Sequence, residues 1–233
     1  MTSDFFSAVD SRRAVRNFLP DPIPSDVLSR CIDAALKAPS SSNLQPWEFV
    51  IFRDPVKRAA ANAVCLGQQS AMTAPLLVAI VAHGETWRRN SREILRVHGE
   101  RGTLQKSQRD YWGRKIPLAY RTGPFGWFGL LKVMSCRLVS VLRATNSLLS
   151  RADLRVVVNK STALAAATFM LALRAEGYDS CPIEGFDPWR ARRLLKLHPK
   201  AEVCMFIAIG LKGQGGVASD RILMPREWLV REV

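Results

Sequence analysis

Ala38-Pro39-Ser40-Ser41-Ser42-Asn43-Leu44-Gln45-Pro46-Trp47-Glu48-Phe49-Val50-Ile51-Phe52-Arg53 changes character twice within one short stretch. Pro39 stops the helix before it, because a proline disfavours helical backbone in its predecessor. The small hydroxyl and amide residues that follow favour turns. Trp47–Arg53 is aromatic and β-branched, which predicts a strand. The helix that Pro39 stops starts at Ser25, read as an N-cap after Pro24, with Asp26 at the positive end of the dipole. Val27, Leu28, Cys31, Ile32, Ala35 and Leu36 form its apolar face. An ordinary Pro/Ser/Asn turn would join such a helix to such a strand. Six small polar or turn residues followed by Gln45-Pro46-Trp47 are more than a turn needs.

Working outward, Asp4–Ser11 predicts a short amphipathic helix and Pro55–Leu66 another. Pro75–Ala82 is a continuous apolar run of strand length, so it should be a central strand buried on both faces. Val156–Glu176 predicts a long helix, apolar almost all round through Ala163–Leu173 and therefore buried on most sides, with Gly177 at its C′ position. Cys181–Phe186 reads as a loop, Pro188–Leu197 as a short helix and Ala201–Ile209 as the last buried strand. A glycine-rich loop, Gly210–Pro225, leads to a tail carrying Trp228. Glu85–Arg155 mixes a basic polar helix, a Gly/Pro-broken turn and a basic amphipathic stretch, Trp127–Leu149. No repeat or linker divides the chain, so residues 1–233 are expected to be one domain, with 85–155 a helical insertion or lid.

The 233 residues suffice for one domain with a full core. Cys31, Cys65, Cys136, Cys181 and Cys204 are odd in number and widely spaced, without a CxxC pair. That argues against a disulfide framework or structural zinc and for a reducing compartment, the cytoplasm. Met1–Arg13 lacks a basic region followed by an apolar one, so no secretory signal is expected. The net charge is +14, and Glu85–Lys160 alone holds 16 Lys/Arg against 5 Asp/Glu. Such a surplus attracts nucleic acid, anionic lipid or a phosphorylated cofactor, or simply makes a solvated basic face. His83, His98 and His198 have no partners at metal-ligand spacing, so no metal site is expected. No GxGxxG is present to signal a Rossmann nucleotide fold.

Four patches carry chemistry. Arg12, Arg13 and Arg16 at a helix end can grip a phosphate, since guanidinium forks match its oxygens, although arginines there often only complement the dipole. The second patch is Ala38–Trp47. The third is Pro182-Ile183-Glu184-Gly185-Phe186, where a glycine permits close approach of backbone to a flat ligand. The fourth is the loop ending in Ser219-Asp220-Arg221.

In this order, Arg12-Arg13-Ala14-Val15-Arg16-Asn17-Phe18, the Ala38–Trp47 stretch, Pro182–Phe186 and Arg221 resemble the nitroreductase family of flavoproteins. The resemblance covers residues 3–82 and 155–225, and Glu85–Arg155 lies outside it. It implies an α+β fold with a central mixed antiparallel sheet flanked by helices, in an intertwined homodimer. It implies FMN at the dimer interface and NADH or NADPH as reductant. Hydride would pass by a ping-pong scheme through flavin N5 to a small acceptor such as a nitroaromatic or quinone. By the same resemblance Arg12 and Arg221 hold the FMN phosphate with help from Arg13, and Arg16 lies near the N1–O2 edge. A fixed positive charge at that edge favours the reduced cofactor. Pro39, Ser40, Ser41 and Asn43 would come from the other subunit. Pro182, Ile183, Glu184 and Gly185 would lie against the ring, with the Glu184 and Gly185 backbone near N5, and Gln68 would add a polar contact. Ala14 replaces the family's usual serine, and Ser219 stands where some members have Lys, so two phosphate contacts are in doubt. The C-terminal tail around Trp228 is expected to reach onto the partner.

Two alternatives remain open. One is a family member with a dedicated reaction: reductive dehalogenation, dehydrogenation of a ring, or flavin breakdown. The other is a basic membrane- or nucleic-acid-binding module with a vestigial flavin site, although no nucleic-acid partner is expected on balance. The apolar face of Trp127–Leu149, punctuated by Lys132, Arg137 and Arg143, suits a lid hinged at Gly123–Trp127. It equally suits a helix lying in a membrane surface.

Overall fold

The computed structural model describes residues 4–123, 127–140, 144 and 150–233. Pro124–Gly126 of the expected hinge, and residues 141–143 and 145–149 of the expected lid, lie outside them. Four strands form one antiparallel sheet: β1 (Trp47–Phe52), β2 (Leu76–His83), β3 (Asp179–Ile183) and β4 (Ala201–Gly210), in the order β1-β2-β4-β3. The parallel component of the sheet is a single bridge from Ala14 to Ser180 at the β3 edge.

Residues on β2 and β4 point alternately to two cores, because side chains alternate along a strand. Leu76, Val78, Ile80, Met205, Ile207 and Ile209 face one side, where α2 (Ser25–Ala35) and α9 (Arg151–Ala175) supply Leu28, Cys31, Ala166, Phe169 and Leu173. Phe169 is fully buried with its ring edge-on to Phe49 at 5.3 Å. Leu77, Ala79, Val81, Phe206 and Ala208 face the other side, beneath α3 (Pro55–Val64), α4 (Gln69–Thr73) and α10 (Pro188–Leu194). The continuous apolar run at Pro75–Ala82 thus forms the two-sided central strand expected of it.

α1 (Asp4–Ser11) precedes these elements. α5 (Trp87–Glu100), α6 (Lys106–Asp110), a π-helical turn (Tyr111–Lys115), α7 (Ile116–Tyr120) and α8 (Trp127–Ser140) follow β2, and α11 (Arg226–Leu229) lies in the tail.

Local details differ from the sequence reading in four places. Ser25 is the first residue of α2, with Pro24 in the cap position and no side-chain cap bond; Asp26 instead pairs with Arg30 one turn on. Residues 179–183 are strand where a loop is expected. Pro182 lacks an N–H, and it is tolerated because β3 is an edge strand. α9 begins at Arg151, where Ser150 and Asp153 form a reciprocal capping box. It ends as expected, with the Gly177 amide bonded to the Arg174 carbonyl and the Tyr178 amide to that of Leu173. α9 buries a single face, Val157, Val158, Ser161, Thr162, Ala165, Ala166, Phe169 and Leu173, and leaves Val156 and Leu164 exposed. By length and composition α9 could cross a membrane, but here that buried face packs on α2 and the sheet.

Burial pushes the Cys65 thiol up to about 12 and those of Cys31 and Cys204 up to about 11, against an ordinary 9.0. The folded chain therefore holds protons that the unfolded chain has released, so stability must fall as pH rises from about 9 towards 12. Thermal unfolding followed from pH 7 to 11 should show the melting temperature dropping above pH 9. Cys65→Ala should flatten that drop; a slope identical to wild type would remove Cys65 from the effect.

Candidate functional site

Three of the four patches meet at the β3 edge. The chain leaves α1 and lies alongside β3, with the Val15 amide on the Ser180 carbonyl at 3.2 Å. It is then gripped by the loop after β4. The Arg16 amide donates to the Gly216 carbonyl at 2.7 Å, the Asn17 side chain to the Gln214 carbonyl at 2.8 Å, and Phe18 bridges to Lys212. A Cβ on Gly216 would stand 2.7 Å from the Asn17 carbonyl, so only glycine lets the two segments approach. Arg13 donates to the Ser219 carbonyl at 2.5 Å, and Arg221 reaches the Arg12 and Val9 carbonyls. Arg12, Arg13, Arg16 and Arg221, from opposite ends of the chain, are thereby collected in one place. None of the four forms an ion pair among the described residues.

Gln68, in the cap position of α4, donates to the Gly185 carbonyl at 2.5 Å and so ties that helix to the Pro182–Gly185 segment. Arg58, which the sequence reading passed over, fixes α4 from behind. Its Nη2 serves the carbonyls of Ala71 at 2.8 Å and Ala74 at 2.5 Å. Pro182 is half-buried and Ile183 buried, while Glu184 and Gly185 are exposed. Beside them, burial raises the Cys181 thiol above its ordinary range, against the opposing pull of a Ser70 hydrogen bond and of the charges on Arg16 and Arg12.

Pro39, Ser40, Ser41 and Asn43 are elsewhere. They precede β1, the sheet edge opposite β3. Two strands intervene, so the edges stand roughly 14 Å apart at about 4.8 Å per step. This loop is strained: Ser42, Asn43 and Gln45 have φ of 57°, 54° and 45°, left-handed values that cost most residues energy. Residues that the sequence reading did not assign to a site hold it there. Ser161 of α9 accepts from the Ser41 amide at 3.1 Å, Tyr111 meets the Ser42 hydroxyl at 2.8 Å, Trp112 donates to the Ser42 carbonyl at 3.0 Å and Asn90 to the Leu44 carbonyl at 2.7 Å. The basic segment after β2 is therefore a scaffold for this loop.

The site suits a phosphorylated planar cofactor. Four guanidiniums without carboxylate partners call for an anion. Ser180 Oγ, in the strand they border, is buried with no hydrogen-bond partner. A side chain at Gly185 would meet only Gln68, at 3.4 Å, so a flat ligand can lie close to that backbone. No cluster of three or more His, Cys, Asp or Glu that could hold a metal occurs among the described residues.

The fold is thus a helix-flanked antiparallel sheet of the α+β class, with an arginine cluster at one edge and a strained Ser/Asn loop at the other. A profile of the "Nitroreductase family" matches residues 9–211, and the chain belongs to that family. It is 30% identical to an "NADH dehydrogenase" of Thermus thermophilus over 98% of this chain and 96% of that one. Its fold superposes on a Bacillus subtilis protein named as a nitroreductase, ydfN, with a TM-score of 0.80, 22% identity and all of both chains covered. A nitroreductase-named protein of Exiguobacterium sibiricum, solved in complex with FMN, matches with a TM-score of 0.74 at 20% identity, over 100% of this chain and 99% of that one.

The clamp on the strained loop can be tested by itself. Ser161→Ala removes the acceptor of the Ser41 amide and should cost about 1 kcal/mol. Hydrogen exchange at that amide should quicken while exchange in β2 is unchanged. Unaltered protection at Ser41 would show that the hydroxyl does not hold the loop.

Proposed function

We propose that the protein is an FMN-dependent NAD(P)H:acceptor oxidoreductase that works as a homodimer on nitroaromatics, quinones or similar small molecules. The observation that carries this reading is the cluster of Arg12, Arg13, Arg16 and Arg221, unneutralised beside the Pro182–Gly185 segment. FMN, when bound, supplies the hydride chemistry. The chain's own residues then bind and orient it: Arg12 and Arg221 at the phosphate with Arg13 beside them, Arg16 as the positive charge near the ring. Ile183 buries the neighbouring edge of the sheet, Pro182–Gly185 offer a face to the ring and Gln68 braces that face. Arg12→Ala and Arg221→Ala should each weaken FMN binding roughly 10- to 100-fold, the worth of one charge-assisted contact. Arg16→Ala should lower the midpoint potential of the bound flavin. Unchanged affinity in folded Arg12→Ala and Arg221→Ala proteins would refute the phosphate assignment.

The dimer follows from what one protomer leaves uncovered. Ile222, Leu223, Met224, Trp228 and Leu229 in the tail are more than half exposed, as are Phe5 and Phe6 of α1. An apolar arm of this kind needs a surface to lie on. A second copy supplies one, and with it Pro39, Ser40, Ser41 and Asn43 for the arginine cluster across the interface. Removing residues 222–233 should shift sedimentation from dimer to monomer and lower FMN retention. A wild-type protein that sediments as a monomer at micromolar concentration would contradict the arrangement. The free thiols favour the cytoplasm as its place of action.

Within residues 85–155 we propose that the stretch 127–149 is a lid. α8 leans on the preceding helix through Lys132, whose ammonium meets the carbonyls of Leu118 at 3.1 Å and Ala119 at 2.8 Å, and through the Gly129 amide on Thr122. Gly123 turns the chain with φ of 72°, and a Cβ there would press Phe128 and Trp127 at 3.0 and 3.1 Å. Deleting residues 124–149 should change acceptor Michaelis constants while FMN stays bound. Loss of binding to anionic liposomes, with catalysis intact, would replace the lid by a membrane contact.

A further inference from the structure

Two neighbouring cavities open where β2 ends and β4 begins, of about 330 and about 560 Å³. They share Trp87, Tyr120, Thr122 and Lys200 as walls. Gly84, Trp87 and Tyr120 also face a small gap behind Ser41 and Ser161, so the inner wall is the back of the strained loop. Volumes of this size suit a small organic ligand.

The lining is strongly biased in charge. Arg88, Arg121, Arg151, Arg155, Arg192 and Lys200 stand against only two acids, Glu85 and Glu202. Three of the cations are committed. Arg155 pairs with Glu202 at 2.8 Å, Arg192 donates to the Ala201 and His198 carbonyls, and Arg88 lies over the Trp87 ring at 5.0 Å. Arg121, Arg151 and Lys200 have no acidic partner among the described residues. Arg151 also opens α9, whose positive end adds to the field at the rim.

One wall asks for something else. Glu85 Oε1 is hydrogen-bonded to His83 Nδ1 at 2.8 Å, but its Oε2 is buried without a hydrogen-bond partner, His198 Nδ1 standing 3.8 Å away. A buried acceptor with no donor is uncommon in a folded protein, and on the wall of a cavity it fits the N–H or O–H of a ligand.

We propose that this double cavity binds a planar aromatic acid: the ring against Trp87 and Tyr120, the carboxylate towards Arg121, Arg151 and Lys200, and a ring hydroxyl or amino group towards Glu85. That such an acid is also the electron acceptor rests on the flavoenzyme reading above; that it binds here does not. Reduction of a nitro acid would take two electrons and one proton as hydride equivalent from NAD(P)H and a second proton from water. It would release water and the nitroso acid.

The test uses the FMN-loaded protein, 4-nitrobenzoate and its methyl ester as acceptors, and 4-hydroxybenzoate as an unreactive ligand. Wild type should prefer the acid over the ester in kcat/KM, and added salt should erode that preference. The doubly substituted Arg151→Gln/Lys200→Gln protein should lower the acid-to-ester ratio about tenfold, and calorimetry should show 4-hydroxybenzoate binding weakened about tenfold. Glu85→Gln should weaken 4-hydroxybenzoate but leave benzoate alone. Unchanged 4-hydroxybenzoate affinity in the folded Arg151→Gln/Lys200→Gln protein overturns the proposal. If 4-hydroxybenzoate binding depends on Arg151 and Lys200 in a protein that reduces neither acceptor, the cavity stands and the flavoenzyme reading falls.

Discussion

The chain segment laid along the free edge of β3 is the constraint on which the site depends. A bare sheet edge exposes a row of unpaired amides and carbonyls, and proteins cover it. Here the cover is Arg12–Phe18, joined by the Ala14–Ser180 bridge and held on its far side by Lys212–Gly216. Backbone bonds set the register of the segment, and the Arg13 and Arg221 side chains join its two ends through carbonyls, with no carboxylate taking up their charge. The N-terminal arginines, Arg221 and the Pro182–Gly185 segment become neighbours only because this edge is sealed in this register. A slip of one residue would turn Val15, fully buried, to solvent and an arginine inwards.

The strained loop before β1 solves the opposite problem. It is not covered by backbone pairing, and left-handed residues at Ser42, Asn43 and Gln45 do not persist without outside support. Side chains supply it from Ser161, Tyr111, Trp112 and Asn90, so the loop is only as rigid as α9 and the helices after β2. The segment 85–120 is thereby tied to the loop as well as lining the cavity behind it. Gly84, Trp87 and Tyr120 line both that cavity and the small gap behind Ser41 and Ser161, so they are the residues through which the cavity adjoins the loop.

Much of this was legible in the sequence where a local rule governs. The apolar run at Pro75–Ala82 had to be a two-sided strand, the periodicity of α2 marked its buried face except at Leu36, which is exposed at the C-cap, and Gly177 ended α9 as glycines do. Resemblance carried the arginines and the Ser/Asn loop, and their grouping in space needed the fold. What stayed hidden was non-local. Nothing in Cys181–Phe186 shows that residues 179–183 will pair with β4, because Pro182 reads as a breaker until β3 is known to be an edge. Tyr111, Trp112 and Ser161 carry no motif; their role exists only because the chain returns to the loop from 70 and 120 residues away. The orphan oxygen of Glu85 has no sequence signature at all.

Charge connects these observations. With 34 Lys and Arg and 20 Asp and Glu, the chain cannot pair its cations with acids one for one. Several serve carbonyls instead. Arg58 takes those of Ala71 and Ala74, Arg192 those of Ala201 and His198, Lys132 those of Leu118 and Ala119, and Arg221 those of Arg12 and Val9. Unpaired carbonyls at element ends need donors, and a guanidinium can serve two at once. A cation used in this way keeps its charge uncompensated, so the field it creates survives the bond. That is why the positive potential gathers where elements end, at the β3 edge and at the mouth between β2 and β4. At the mouth between β2 and β4 the fold also leaves room for a ligand. The same surplus that looks like a solvated basic face in the sequence is thus, in the folded chain, partly structural cement and partly a field that attracts anions.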